Sequence, residues 1–524
     1  MATVLALVFA AIAAVAARRT YSIESERDRV NMLERHAQVA YSRRTQAALV
    51  SVWWGSKDGR WGAYVCNASE TPVYQAHLTI LDPDMHGDAA KTQFPVVPPC
   101  ADAEFFPIAV DDHSLVDSAV RRVKLSFTDA AGVRWIRTEH GRLIELPSGL
   151  RIRADPDRAD VLTRFHEDFR AAYGVTITFE TAVDSDPLAQ FLSEAGTGQV
   201  VDGLICPHDW IGSLSSREAI DPIVLSAQHR AAFPPWVLRA LTFDNRLWGL
   251  PMTVDTVALV RNTALAPEIP ATFEEMTATG RSLFRSGRVS EVLAVRVSEH
   301  GDPFQIWPLF TSAGGWLFGR DAHGDWDPGV IGLASPESVR ALDVLRELGE
   351  AGTEVLRRSM DREKALDSFA RGDCAFLITT SDGLAQARAN GIPIAVSGVP
   401  PFTGGAPATP FALVHGLVAS RRGANKITAE ELFAEYLSHP SVMDALSSDI
   451  GCPVAMSTTG GVRDSAIERY SEICGTAPVM PSFPNMWRVW RILGQVEAAV
   501  VAGESAEEVA RWAAKEVANA LSIS

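Results

Sequence analysis

The chain has 524 residues, 47% of them hydrophobic and 21% charged, a composition that builds a large buried core and excludes a disordered or fibrous protein. Its formal net charge of −16, with no basic patch carrying interleaved aromatics, excludes non-specific nucleic-acid binding, which needs clustered Lys and Arg. The six cysteines form no C-x-x-C pair and no zinc-ligand spacing, so neither a metal nor a cofactor is implied; Cys66–Cys100 and Cys452–Cys474 are the pairs to test for disulfides.

Residues 1–17, MATVLALVFAAIAAVAA, are uncharged and are followed by Arg18 and Arg19. At about 1.5 Å per residue the run just crosses a thin hydrocarbon core. No basic region precedes it, which favours an uncleaved transmembrane anchor over a signal peptide, although Ala14-Val15-Ala16 offers small residues for cleavage. The arginines that follow would, taken alone, hold the C-terminal side in the cytoplasm. Residues 18–48 are rich in charge and lack Pro and Gly. Ile23, Val30, Leu33, Ala37 and Ala40 fall near heptad spacing, which predicts a juxtamembrane helical stalk.

Over 49–147 the pattern shifts to short alternating runs. LVSVWW, WGAYVCN, VYQAHLTIL, RVKLSFTDAAG and VRWIRT are β-branched or aromatic and are separated by turn residues, which predicts a small β-sandwich. Asn67-Ala68-Ser69 matches a glycosylation sequon, a match that chance also produces. From 150 to 524 strand and helix patterns alternate, the mark of an α/β architecture. No nucleophile elbow, zinc-protease helix or phosphate-binding loop occurs; GTGQVVDG from Gly196 lacks pyrophosphate spacing. The acidic run RADPDRAD (Asp155, Asp157, Asp160) reads as turn and helix-cap duty ahead of catalysis or calcium binding.

Eight segments in order carry the positive signal: GQVVDGLICPHDWIGSL, NRLWGLPMTVDTVALVRNTAL, FEEM, DPFQIWPLFTSAGGWLFG, REKALDSFARGDCAFLI, GIPIAVSGVPPFTGG, PVMPSFPNMWRVW and a closing amphipathic helix. This order resembles the maltose-binding-protein-like family of ATP-binding-cassette solute-binding proteins, over about residues 150–524. The resemblance implies a two-lobed, periplasmic-binding-protein-like fold with a hinge. Lobe 1 would take about 150–253 and 409–449, and lobe 2 about 258–404 and 452–524.

The resemblance also implies ligand-binding positions. Asp209 matches an acid that binds sugar hydroxyls, and Trp210 beside it replaces an Arg. Asp255 interrupts the apolar run LPMTVDTVALVRN where the family has a hinge acid. Asp302 matches a ligand-facing Glu, Phe304 replaces a stacking Tyr, and Asp382 falls where a Trp stacks. Trp490 matches a stacking Trp, and Trp487 extends that platform or covers its rim. Cys206 replaces a Trp, Gly494 replaces an Arg, and Asp157 falls roughly where the family has a Lys. The acidic positions are largely kept while several platforms and both basic groups are gone. A maltodextrin pocket is therefore not implied; another sugar, a polyol or a cationic solute fits better, unless binding has been lost.

On a helical wheel Met486, Val489, Trp490, Leu493, Val496 and Val500 share one stripe, with Trp490 at its shoulder and Arg488 and Arg491 pointing away from both tryptophans. In the closing helix Val509, Trp512, Ala513, Val517 and Leu521 form the core stripe. Together these features predict a membrane-tethered binding protein, not an enzyme. It captures a small polar solute, a carbohydrate or polyol, for the membrane subunits of an ABC importer by closure of two lobes. The alternative is a ligand sensor or scaffold on the same fold, facing the cytoplasm.

Overall fold

The computed structural model describes residues 44–58, 60–81, 88–100, 102–107, 122–146, 149–173, 175–183, 186–197, 200–225, 227–322, 324–381, 383–423, 425, 440–456 and 464–522. The predicted anchor 1–17, residues 18–43 of the predicted stalk, and Asp382 lie outside the described residues. Among the described residues no helix is long and apolar enough to cross a membrane. The chain divides into two compact units, residues 1–147 and 148–524.

In the first unit residues 44–48 are helical and lead into two antiparallel sheets. One has three strands, Val50–Lys57, Arg60–Asn67 and Glu104–Pro107; the other has five, in the order Asp88–Val97, Val73–Leu81, Arg122–Thr128, Arg134–Arg137, Leu143–Leu146. Strand alternation sends Val65, Leu78, Ile80, Leu125 and Trp135 into one apolar core shared by both sheets. Trp135 is fully buried, and its indole N–H donates to Asp129 at 2.8 Å, so the core holds no orphan donor there. The five apolar runs are all strands. Asp88–Val97 carries Pro95 and sits at the edge of its sheet, where a residue without an N–H costs no ladder bond. Asn67 of the sequon is fully buried. Its amide donates to the Thr71 and Val97 carbonyls and its Oδ1 accepts from Ser69, so it cannot carry a glycan in this fold.

The second unit is built on two sheets. The first runs Thr176–Glu180, Gly149–Arg153, Gly203–Pro207, Leu413–Ser420, Ile220–Asp221, with Gly249–Asp255 pairing antiparallel to Leu413–Ser420. The second runs Ala294–Val295, Phe376–Thr379, Ala258–Asn262, Ile394–Ser397. The apolar run 250–262 is thus two strands in different sheets, joined through Thr256 and Val257. Every residue of Gly249–Asp255 and Ala258–Asn262 is buried, so the run shows no regular apolar–polar alternation, and its polar residues Thr253, Asp255, Arg261 and Asn262 are buried with the rest. The chain returns to the first sheet at Leu413, and Val454 bridges back to Thr253.

Helix Met486–Ala502 packs on helices Ala506–Ser522 and Pro336–Leu348 through Val489, Val496, Val500, Val509, Ala513 and Val517. Gly503, at φ 106°, turns the chain between the first two. Trp512, expected in the core stripe, is 42% exposed: it lies about 60° from Val509 and Ala513 fills the inward position.

Candidate functional site

Two elements of the second unit meet at the candidate site. Strand Gly203–Pro207 runs directly into a short turn, His208–Trp210. Opposite it, helix Met486–Ala502 starts at Asn485, a residue in the left-handed region (φ 62°). Asn485 is held from three sides. Its N–H donates to Ser213 Oγ at 3.1 Å, its Oδ1 accepts from Arg217 at 3.3 Å, and its amide donates to the Ala520 carbonyl at 3.3 Å.

His208 locks the turn. It is fully buried; Nδ1 accepts from the Val414 N–H and Nε2 donates to the Met480 carbonyl, both at 3.1 Å. These two bonds define the neutral Nε2–H tautomer, and burial pushes the imidazole down to about 4. A ring fixed at both nitrogens fixes the next residue as well.

That residue is Asp209, only 6% exposed, whose Oδ1 has no hydrogen-bond partner. Burial raises its carboxyl to about 7, opposed by its own amide and by the Trp490 indole N–H. The indole N–H faces the carboxylate without reaching hydrogen-bond geometry, so Trp490 Nε1 is unsatisfied too. Unpaired buried polar atoms each cost free energy that a hydrogen-bonding ligand would recover. The Trp490 ring is half-buried and meets Phe411 edge-on, centroids 5.8 Å apart at 88°.

Trp490 also lines an open groove of about 550 Å³, together with His300, Gly301, Arg358, Gly494 and Glu504. Gly494 and Gly301 bring two backbones together there. A Cβ on Gly494 would lie 2.6 Å from the His300 carbonyl oxygen, and one on Gly301 (φ 77°) 2.1 Å from the Gly494 carbonyl oxygen. The missing arginine at 494 is therefore a consequence of packing: no side chain fits.

The remaining predicted positions have different surroundings. Asp302 precedes helix Pro303–Ser312 and pairs with Arg296 at 2.7 Å, its side chain 14% exposed. Glu497, one turn beyond Gly494, is fully buried behind it. Burial and the Asp302 charge push its carboxyl well above the usual range, opposed by the Asp302 N–H and Arg296. Phe304 is partly buried and packs against the apolar core. Trp210 is half-buried beside Asp209.

Trp487 is half-buried with an unsatisfied indole N–H. The guanidinium carbons of Arg488 and Arg491 lie 5.1 and 5.4 Å from its ring centroid. The expectation that both arginines point away is thus wrong: Arg491 lies one turn beyond Trp487 on the same face, and Arg488 reaches the ring with its long stem, so both are cation–π partners. Asp255, 6% exposed, spends its Oδ1 on the N–H groups of Thr256 (2.8 Å) and Ser381 (3.0 Å), while Cys452 Sγ lies 3.8 Å from Oδ2. The structure therefore brings Asp209 and Trp490 together, adjoins the loop before Asp302 to them through the groove, and places Asp255 in the crossing between the two sheets.

Beside that crossing is a buried network with no counterpart in the sequence reading. Arg158 donates to Asp155 (2.9 Å), Thr253 Oγ1 (2.8 Å) and His415 Nδ1 (3.2 Å). Asp155 also caps helix Pro156–Thr163 through the Arg158 N–H. Asp157 is exposed. Among the described residues no group of His, Cys, Asp and Glu could hold a metal ion.

A family model described as bacterial extracellular solute-binding protein matches residues 164–466. Curated relatives include a maltotriose-binding protein of Pyrococcus abyssi, 23% identical over 359 residues, covering 66% of this chain and 74% of that protein. The maltodextrin-binding protein MdxE of Bacillus subtilis is 24% identical over 309 residues, covering 56% and 70%. A galactooligosaccharide-binding protein of Bacillus subtilis is 22% identical over 319 residues, again covering 56% and 70%.

Proposed function

Because the chain belongs to the bacterial extracellular solute-binding protein family, we propose that its C-terminal unit captures a carbohydrate or polyol and hands it to the membrane subunits of an ABC importer. The chain is a binding protein, not an enzyme. The three relatives, named for the oligosaccharides they bind, support the ligand class. One observation carries the reading: a buried carboxylate oxygen of Asp209 and the Trp490 indole N–H lie side by side, both without partners. An aromatic face beside a planar acceptor is the pairing that recognises a sugar, C–H surface to ring and hydroxyl to carboxylate.

In this reading the two sheets belong to two lobes that close about the crossings at Asp255 and Leu413, the unit works outside the cytoplasm, and residues 1–17 tether it. Asp209, Trp210, Asp302, Trp487 and Trp490 line the ligand side, with Phe304 and Asp255 supporting it and Asp382 completing it. The test is calorimetric titration of the full chain with mono- and oligosaccharides and polyols, alongside Asp209→Ala. Saturable binding that Asp209→Ala weakens at least tenfold supports the reading. No binding across the panel overturns it in favour of the scaffold alternative.

A further inference from the structure

The first unit holds two neighbouring thiols. Cys66 is the penultimate residue of strand Arg60–Asn67, and Cys100 lies just beyond strand Asp88–Val97. Cys100 is tied to the residue next to Cys66 in both directions: its N–H donates to the Asn67 carbonyl at 3.0 Å, and its Sγ accepts from the Asn67 N–H at 3.4 Å. The thiols are near enough for Cys100, after burial, to help raise the Cys66 thiol above its usual value. Asn67 is immobilised by its own side-chain bonds to Thr71, Val97 and Ser69, so the pair sits on a rigid frame. Both cysteines are half-buried, whereas Cys206, Cys374, Cys452 and Cys474 are buried. An oxidant can therefore reach this pair and not the others.

We propose that Cys66 and Cys100 close a disulfide and that the first unit matures in an oxidising compartment. The oxidant is a protein or low-molecular-weight disulfide. One thiolate of the pair attacks it, displacing one of its sulfurs and forming a mixed disulfide. The second thiolate then attacks the protein sulfur of that bond and expels the oxidant's remaining sulfur as a thiol. The oxidant thus leaves fully reduced, as a dithiol if its two sulfurs share one molecule and as two thiols if they do not. Two electrons and two protons pass from the cysteines to the oxidant, and one S–S bond replaces another. The new bond closes a loop of about 35 residues, long enough to restrict the unfolded chain appreciably. The proposal is independent of what the second unit binds.

The full chain, purified under reducing conditions and equilibrated in a glutathione redox buffer, is alkylated with N-ethylmaleimide and peptide-mapped without reduction. The expected result is one cross-linked peptide pair joining Cys66 and Cys100, lost in Cys66→Ser and in Cys100→Ser, with Cys452 and Cys474 still reduced. Reduction is expected to lower the unfolding temperature of the first unit by on the order of 10 °C. Protein trapped with acid from cells that carry the complete chain should already contain the linkage. Full alkylation of both thiols in the redox buffer overturns the geometry. Linkage in the buffer but not in cells overturns the compartment.

Discussion

The Trp490 indole N–H faces the Asp209 carboxylate across the junction of the His208–Trp210 turn and the helix that starts at Met486, yet neither atom has a hydrogen-bond partner. A site with one buried acceptor and one buried donor left open is already shaped for a group that is both donor and acceptor, such as a hydroxyl. The cost of keeping Asp209 dry appears in its proton affinity, and that cost can be measured.

Asp209 titrates at about 7 in the folded chain against a usual 3.8, so between those values the native state holds a proton that the unfolded state has released. Stability therefore falls as pH rises through that window and levels off above about 7, with a ceiling of about 4 kcal/mol. Asp209→Asn should remove this slope and raise the midpoint of urea unfolding at neutral pH. Glu497, also raised by burial, gives a slope of the same sign, which Glu497→Gln should remove separately. If a ligand hydroxyl donates to the ionised carboxylate, binding will release a proton below neutrality, readable as buffer-dependent heats in calorimetry. Stability profiles of Asp209→Asn and the parent that run parallel would rule out a raised carboxyl.

The arginine missing at 494 can be put back. Gly494→Arg, or Gly494→Ala, drives a Cβ to 2.6 Å from the His300 carbonyl oxygen and must part the helix from the loop that carries Gly301. Loss of about 2 kcal/mol or more is expected for either variant, with the alanine enough to show it. An unfolding curve that does not move would show that the two backbones can separate freely.

The parts of this structure legible in the sequence are those with local signals. The stretch LPMTVDTVALV announces a buried crossing because it is apolar but for two threonines, Thr253 and Thr256, and Asp255, its one charged residue. The shoulder position of Trp490 follows from helical periodicity, and Gly503 marks its own break. What escaped is set by distant residues. Arg158 looks like any surface arginine in RADPDRAD, and its partners Thr253 and His415 lie 95 and 257 residues away. His208 sits in no motif, and the atoms that fix its tautomer come from Val414 and Met480. Glu497 falls on the apolar side of its helix, where spacing alone cannot say that a carboxyl is fully buried. Arg491 is four residues beyond Trp487, about 40° round the helix, so periodicity does put it beside that ring; only the approach of Arg488, the next residue in sequence, is outside what a wheel represents.

Arg158 gives a stability test of the crossing. Arg158→Met keeps most of the packing volume but leaves the Thr253 hydroxyl and His415 Nδ1 without their donor. A loss of about 3 kcal/mol in urea unfolding is expected. Asp155 adds a pH signature, since the Arg158 guanidinium holds its carboxyl below 3.8 against desolvation. That contribution is present above 3.8 and is lost as pH falls through the lowered value, so acid unfolding should begin at higher pH in Arg158→Met. Identical acid transitions would remove the pair from the account.

The two tryptophans should separate in a binding experiment. Trp490 offers a face beside the groove and an open N–H toward Asp209, whereas Trp487 has Arg488 and Arg491 stacked over its ring. Trp490→Ala is expected to weaken binding of the best sugar in the panel by tenfold or more, about 1.4 kcal/mol, from the loss of stacking. Trp490→Phe, which keeps a ring and deletes the N–H, should recover part of it. Trp487→Ala should shift affinity by about threefold or less, because a ligand must first displace two guanidinium groups to reach that ring. The measurement is a calorimetric dissociation constant for each variant, with unfolding curves to confirm that all three stay folded. A larger loss in Trp487→Ala than in Trp490→Ala would move the platform to the arginine-covered ring and require those two side chains to swing aside on binding.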